Sequence, residues 1–108
     1  LVKLVPAIDR FLARYPDDAS LIKIKAEALM GAGRYAEAVP LLEEGLKSRI
    51  AAPGDTMKLH ALMARACRKI GKSEQASLHA REALDMLSRY RLNDAQKKLK
   101  RELERIKR

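Results

Sequence analysis

The sequence predicts an all-α protein, a short right-handed α-solenoid of antiparallel helical hairpins, on three observations. Residues 26–46 (AEALMGAGRYAEAVPLLEEGL) read as a helix, a tight glycine turn and a second helix, and the pattern returns at 64–84 (ARACRKIGKSEQASLHAREAL). Aligning Gly33 with Gly71 lays Ala26 over Ala64, Ala38 over Ala76, Leu42 over Ala80 and Leu46 over Leu84, the signature of a repeat array. The apolar residues recur at helical spacing, while Val, Ile and the aromatics (4% of the chain) are too sparse and irregular for strands.

Residues 2–14 read as the first helix, with Val5, Ile8 and Leu12, joined by Leu4 and Phe11, at helical spacing; Pro16 followed by Asp17 and Asp18 stops it. Asp18 or Ser20 can cap the next helix, which runs to about Ala32, because a short side-chain oxygen accepts from its free N–H groups. Gly31 and Gly33 let the chain leave that helix at low steric cost. A third helix covers 35–48, with a bend or a late start expected at Pro40. Residues 50–55 form a loop around Pro53 and Gly54, and Asp55 or Thr56 caps a helix over 57–70. After the turn at Gly71 a helix spans 73–90, and Asn93 or Asp94 caps a last one to about Lys107, striped by Ala95, Leu99, Leu103 and Ile106.

Gly33, Tyr35, Glu37 and Ala38 in the first turn, with Ala26 midway along the helix before it, resemble the tetratricopeptide repeat; Ala64, Gly71, Glu74, Ala76, Ala83 and Leu84 match in the second copy. Ser73 replaces the motif's Tyr, Gly45 stands where it carries Ala, and Pro53 comes about three residues late. The resemblance implies a leading half-repeat helix (1–16), two repeats (19–52 and 57–90) and a capping helix (93–108) within a single domain. Ile8, Phe11, Leu12 and Pro16 then belong to the second helix of an incomplete unit. The sequence is accordingly read as a fragment of a longer chain, with one N-terminal apolar face uncovered.

A chain of 108 residues makes one domain at most. No apolar run approaches the roughly 18 residues of a membrane span. One cysteine excludes an internal disulfide and a cysteine-based zinc site and leaves the compartment open, with a lean to the cytoplasm; Cys67 falls on an apolar helix face, as a small core residue would. Residues 1–56 carry eight basic and eight acidic side chains, and residues 57–108 fifteen and six, so the whole net charge of +9 lies in the second half. That asymmetry suggests an acidic partner.

On the helix over 57–70, successive residues ~100° apart put Lys58, Arg65, Arg68 and Lys69 on one arc and Leu59, Leu62, Met63, Ala66, Cys67 and Ile70 on the other. Two readings are open: a solvated face, or a surface for an anion. The resemblance implies the second geometry, since the first helix of each repeat lines a concave groove in that family. It places Lys58, Ala61, Arg65, Arg68 and Lys69 there from the second repeat, and Ser20, Lys23, Glu27, Met30 and Gly31 from the first. Lys23, Lys58, Arg65, Arg68 and Lys69 are therefore the candidate peptide-binding residues, suited to a peptide C-terminus or to Asp and Glu side chains.

The seven Lys and Arg after residue 96 would also attract phosphate or an anionic membrane, but no aromatic accompanies them, and a solvated capping helix accounts for them. His60 and His79 read as isolated side chains rather than metal ligands, and the four Met as gap fillers. Residues 31–33 lack the strand and the Lys-Ser/Thr ending of a phosphate loop. No nucleophile has a visible base, and no catalytic residue, metal or cofactor is assigned. The function expected is a non-catalytic protein–protein interaction scaffold that binds an acidic or C-terminal-carboxylate segment. The alternatives are an accessory domain of a larger enzyme such as a metallopeptidase, which such repeats follow in some proteins, and a nucleic-acid-binding module using the basic second half. A homo-oligomer through the uncovered N-terminal face is a further expectation.

Overall fold

A computed structural model describes residues 4–48 and 51–108. Six helices follow one another: α1 (Val5–Arg14), α2 (Ala19–Gly31), α3 (Tyr35–Leu46), α4 (Pro53–Lys69), α5 (Ser73–Leu87) and α6 (Asp94–Lys107). No strand occurs among the described residues. Residues 2 and 3 of the predicted first helix, and residue 50 of the predicted loop, lie outside them.

Local chemistry sets the ends. Asp18, not Ser20, caps α2, its carboxylate accepting from the Leu21 N–H at 3.1 Å. Asn93 opens α6 in a capping box, accepting from Gln96 N–H at 2.8 Å while Gln96 accepts from Asn93 N–H at 3.0 Å. The two hairpin turns share one geometry. Gly33 (φ +79°) and Gly71 (φ +83°) take the left-handed conformation just past their helices. Arg34 N–H reaches back to Leu29 C=O and Lys72 N–H to Cys67 C=O, the wide hydrogen bond of a Schellman motif in both.

Three helix ends differ from the sequence reading by two residues or more, the first being that of α3, which starts at Tyr35 as expected but closes at Leu46 and not near 48. α4 begins at Pro53, with Ala52 in the capping position, and not at Asp55 or Thr56. Proline suits the first helical position because its missing N–H would have no partner there, so Pro53 and Gly54 start the helix instead of marking a loop. Asp55 is thereby carried into the first turn and turned toward α2. α5 closes at Leu87 rather than near 90, leaving 88–93 to connect to α6. Pro40 sits inside α3. It is exposed, as is Ala36, whose carbonyl loses its helical donor, so water can satisfy that group.

Consecutive helices pack in order, and α2 also touches α4, and α4 also touches α6, while α3 and α5 do not meet. The helices therefore form an inner row of α2, α4 and α6 and an outer row holding α3 and α5; α1 packs on α2 alone. α4 is the centre. Leu59, Ala64, Ala66 and Cys67 are fully buried on it, and Leu42, Ala80, Ala83 and Leu103 close the core from the neighbouring helices. No polar side chain is buried among the described residues. At the N-terminal end Leu4, Phe11, Tyr15 and Ile24 stay exposed, Phe11 at 57%.

Candidate functional site

A half-open pocket of about 440 Å³ lies along the inner row. α2 supplies Glu27, Met30 and Gly31, α4 supplies Lys58, Ala61, Leu62 and Arg65, and Leu99 of α6 and Tyr35 at the start of α3 close it. This follows from helix geometry: residues 58, 61, 62 and 65 share one face of α4 at spacings of three and four. The floor is apolar and the charges stand at the rim, an arrangement that suits a peptide side chain or terminus better than a small reactive substrate.

The five candidate cations are placed differently from one another. Lys58 and Arg65 come together in the pocket, and Lys58 is exposed with no ion pair among the described residues. Arg65 is engaged from α6: its Nε and Nη2 donate to the two oxygens of Glu102 at 3.1 and 2.7 Å. That double hydrogen bond holds the Glu102 carboxyl below its ordinary pKa, helped by the charges of Arg65, Arg105 and Arg68, against a burial that would raise it. The same contact raises Arg65, which is charged at any physiological pH. Lys23 lies outside the pocket, paired with Asp55 Oδ1 at 3.3 Å, while Ser20 donates to Asp55 Oδ2 at 2.9 Å. Arg68 and Lys69 are exposed in the last turn of α4, where positive charge complements the helix dipole. They do not line the pocket.

Three functional-looking contacts escaped the sequence reading. Glu102 on Arg65 joins residues 37 apart, and Asp55 on Lys23 joins residues 32 apart, separations at which no periodicity reports a partner. The third is between His60 and His79, whose Nδ1 atoms are 3.0 Å apart with ring centroids at 5.2 Å. One ring must donate and the other accept, so the two Nδ1 atoms share a single proton. Here a signal existed: the residues stand eleven before and eight after Gly71, roughly opposite one another across the hairpin. Burial lowers both imidazole pKa values below the ordinary 6.5; for His60 the charge of His79 adds to this, and Glu82, with Glu43 for His79, partly offsets it. Among the described residues no three His, Cys, Asp or Glu side chains gather as a metal would require. Cys67 is in the core, its thiol pushed up by burial.

A two-row stack of helical hairpins, joined by identical glycine turns, defines an α-helical repeat protein. The family model for the tetratricopeptide repeat matches residues 18–89, two thirds of the chain, and the chain belongs to that family. Searches of curated proteins and of solved structures found no match. Tetratricopeptide repeats mediate protein–protein interaction, typically without catalysis, so the partners this membership implies are proteins. None of the helices among the described residues is long and apolar enough to cross a membrane.

Proposed function

We propose that this chain is a non-catalytic interaction module that holds an acidic or C-terminal-carboxylate segment of a protein partner along its inner row. The observation that carries the reading is Lys58, an exposed cation with no ion pair among the described residues, at the rim of a pocket floored by Met30, Ala61, Leu62 and Leu99. A carboxylate on Lys58 would leave the adjoining side chain over apolar surface, so one residue of the ligand meets both. Arg65 can join only by giving up Glu102, an exchange of one carboxylate for another that is close to neutral in energy and adds selectivity for acidic ligands. Lys23, Arg68 and Lys69 then act at longer range, raising the rate of encounter more than the strength of the complex. In this reading the hairpins α2–α3 and α4–α5 are the two repeats, α1 the outer helix of a partial unit and α6 the cap.

The test is a library of C-terminal and internal acidic peptides, screened at low and at physiological salt against wild type and a Lys58→Ala/Arg65→Ala variant. Selective binding that falls about tenfold or more in the variant is expected. If no peptide of the library loses affinity in the double variant, or none binds at all, the reading is sunk.

A further inference from the structure

α6 has two charged sides, and only one of them faces the inner row. Leu99 and Glu102 line the concave pocket and its edge. Lys97, Lys100, Arg101, Glu104 and Lys107 stand on the other side, along two adjoining clefts that share Leu92, Lys100 and Glu104. The clefts measure about 610 and 460 Å³ and form one trough between the end of α5, the connection 88–93 and α6. Its floor is apolar, made by Leu84, Leu87 and Leu92, with Tyr90 56% exposed beside them.

The charge balance separates the two surfaces. The concave pocket and its edge hold Lys58, Arg65, Lys98 and Arg105 against Glu27 and Glu102, the latter already seated on Arg65. The trough is lined by five cations (Arg91, Lys97, Lys100, Arg101 and Lys107) against the single carboxylate of Glu104, itself only 4.0 Å from Lys100. Much of the chain's positive excess is thus concentrated behind α6. The five cations are solvent-exposed and repel one another only weakly, but together they make a field that attracts a ligand of alternating carboxylates and apolar groups, whose apolar groups would cover the floor.

We propose that the trough behind α6 is a second docking surface, for an acidic amphipathic segment of a partner protein, with an apolar anchor over Leu92 and Tyr90 and carboxylates on Lys97, Arg101 and Lys107. The apolar floor favours a peptide over a phosphate backbone, which would use the cations but gain nothing from Leu84 and Leu92, and Tyr90 is the one aromatic available for a base to stack on. The inference stands independently of the concave-pocket reading, because the residues of the two surfaces do not overlap.

Two probes test it by fluorescence anisotropy: a short labelled peptide with a Leu-Phe pair flanked by Glu and Asp, and a labelled oligothymidylate. The substitutions Lys97→Ala/Arg101→Ala and Tyr90→Ser all fall on exposed residues, and circular dichroism checks that the helices persist. The peptide is expected to bind wild type, to lose about tenfold or more in affinity in each trough variant, and to keep its affinity for Lys58→Ala/Arg65→Ala. Loss confined to the Lys58→Ala/Arg65→Ala variant would assign acidic ligands to the concave pocket alone and overturn the proposal. So would tighter binding of the oligothymidylate than of the peptide, or binding of neither probe.

Discussion

At the scale of single residues, identical substitutions have different consequences because their surroundings differ. Gly33 and Gly71 hold positive φ in open space, where an added Cβ meets nothing within 4 Å. Ala there strains only the backbone, and each substitution is expected to lower stability by about 1–2 kcal/mol, read as a lower urea midpoint with an unchanged slope. An unchanged midpoint would mean that the turns relax to another geometry. Glu102 offers a second residue-scale test. Its folded pKa is depressed, so its contribution is present above the ordinary carboxylate pKa and is lost as pH falls through the folded value. Glu102→Gln should therefore remove roughly 1 kcal/mol at neutral pH, the upper end for a partly exposed pair, and nothing at a pH where Glu102 is protonated in wild type. In the reading proposed above it should also free Arg65 and strengthen acidic-peptide binding; weaker binding in that variant would count against an exchange at Arg65.

Between elements, close packing explains a departure from the repeat pattern. Gly45 faces the junction of α2 and α4, and a Cβ built there lies 2.9 Å from Ile22 Cγ2 and 3.2 Å from a Leu59 methyl. The Ile22 branch is stiff and buried, so it cannot step aside. Gly45→Ala gains up to about 1 kcal/mol of helix propensity but incurs about 1–3 kcal/mol of overpacking, a net loss in thermal denaturation. Ala83, which occupies the equivalent place in the second copy, is buried without difficulty, so the same pattern is met by two residue sizes. The α4–α5 interface adds a pH response. Both imidazoles are depressed in the folded state, so the unfolded chain takes up more protons below about pH 6.5, and stability complete above that value falls as pH drops. A second proton would also set two Nδ1–H groups against each other at 3.0 Å. Melting temperature should fall between neutral pH and about pH 5, and a His60→Gln/His79→Gln variant should flatten that curve; equal slopes would show that the pair does not titrate in this way.

For the whole molecule, the contact pattern makes α4 the keystone and α1 a peripheral helix. α4 packs on α2, α3, α5 and α6, whereas α1 packs on α2 alone. Leu59→Ala is expected to remove about 2–5 kcal/mol and shift the entire helical signal in one cooperative transition. Ile8→Ala should loosen α1, seen as faster amide exchange in residues 5–14, with little change in the main transition. If amide exchange in α4 quickened as much as in α1, the stack would be a single unit without a peripheral end.

The sequence by itself determined the helices, the repeat and the family. These are local properties: spacing of apolar residues, a capping Asp or Asn, and glycine at a left-handed turn are each decided within a few neighbours. Pro53 reads as loop from sequence because proline is equally at home in a turn and at the first position of a helix, the place it takes here. The cationic arc of α4 was equally legible, but not which charges were free. Glu102 reaches Arg65 and Asp55 reaches Lys23 from helices more than thirty residues away in sequence. A salt bridge across helices depends on how rows of side chains come into register, and that register is a product of the whole core. For the same reason the cations after residue 96 read, from sequence, only as the solvated face of a capping helix, while the fold gathers Lys97, Lys100, Arg101 and Lys107 with Arg91 along clefts behind α6.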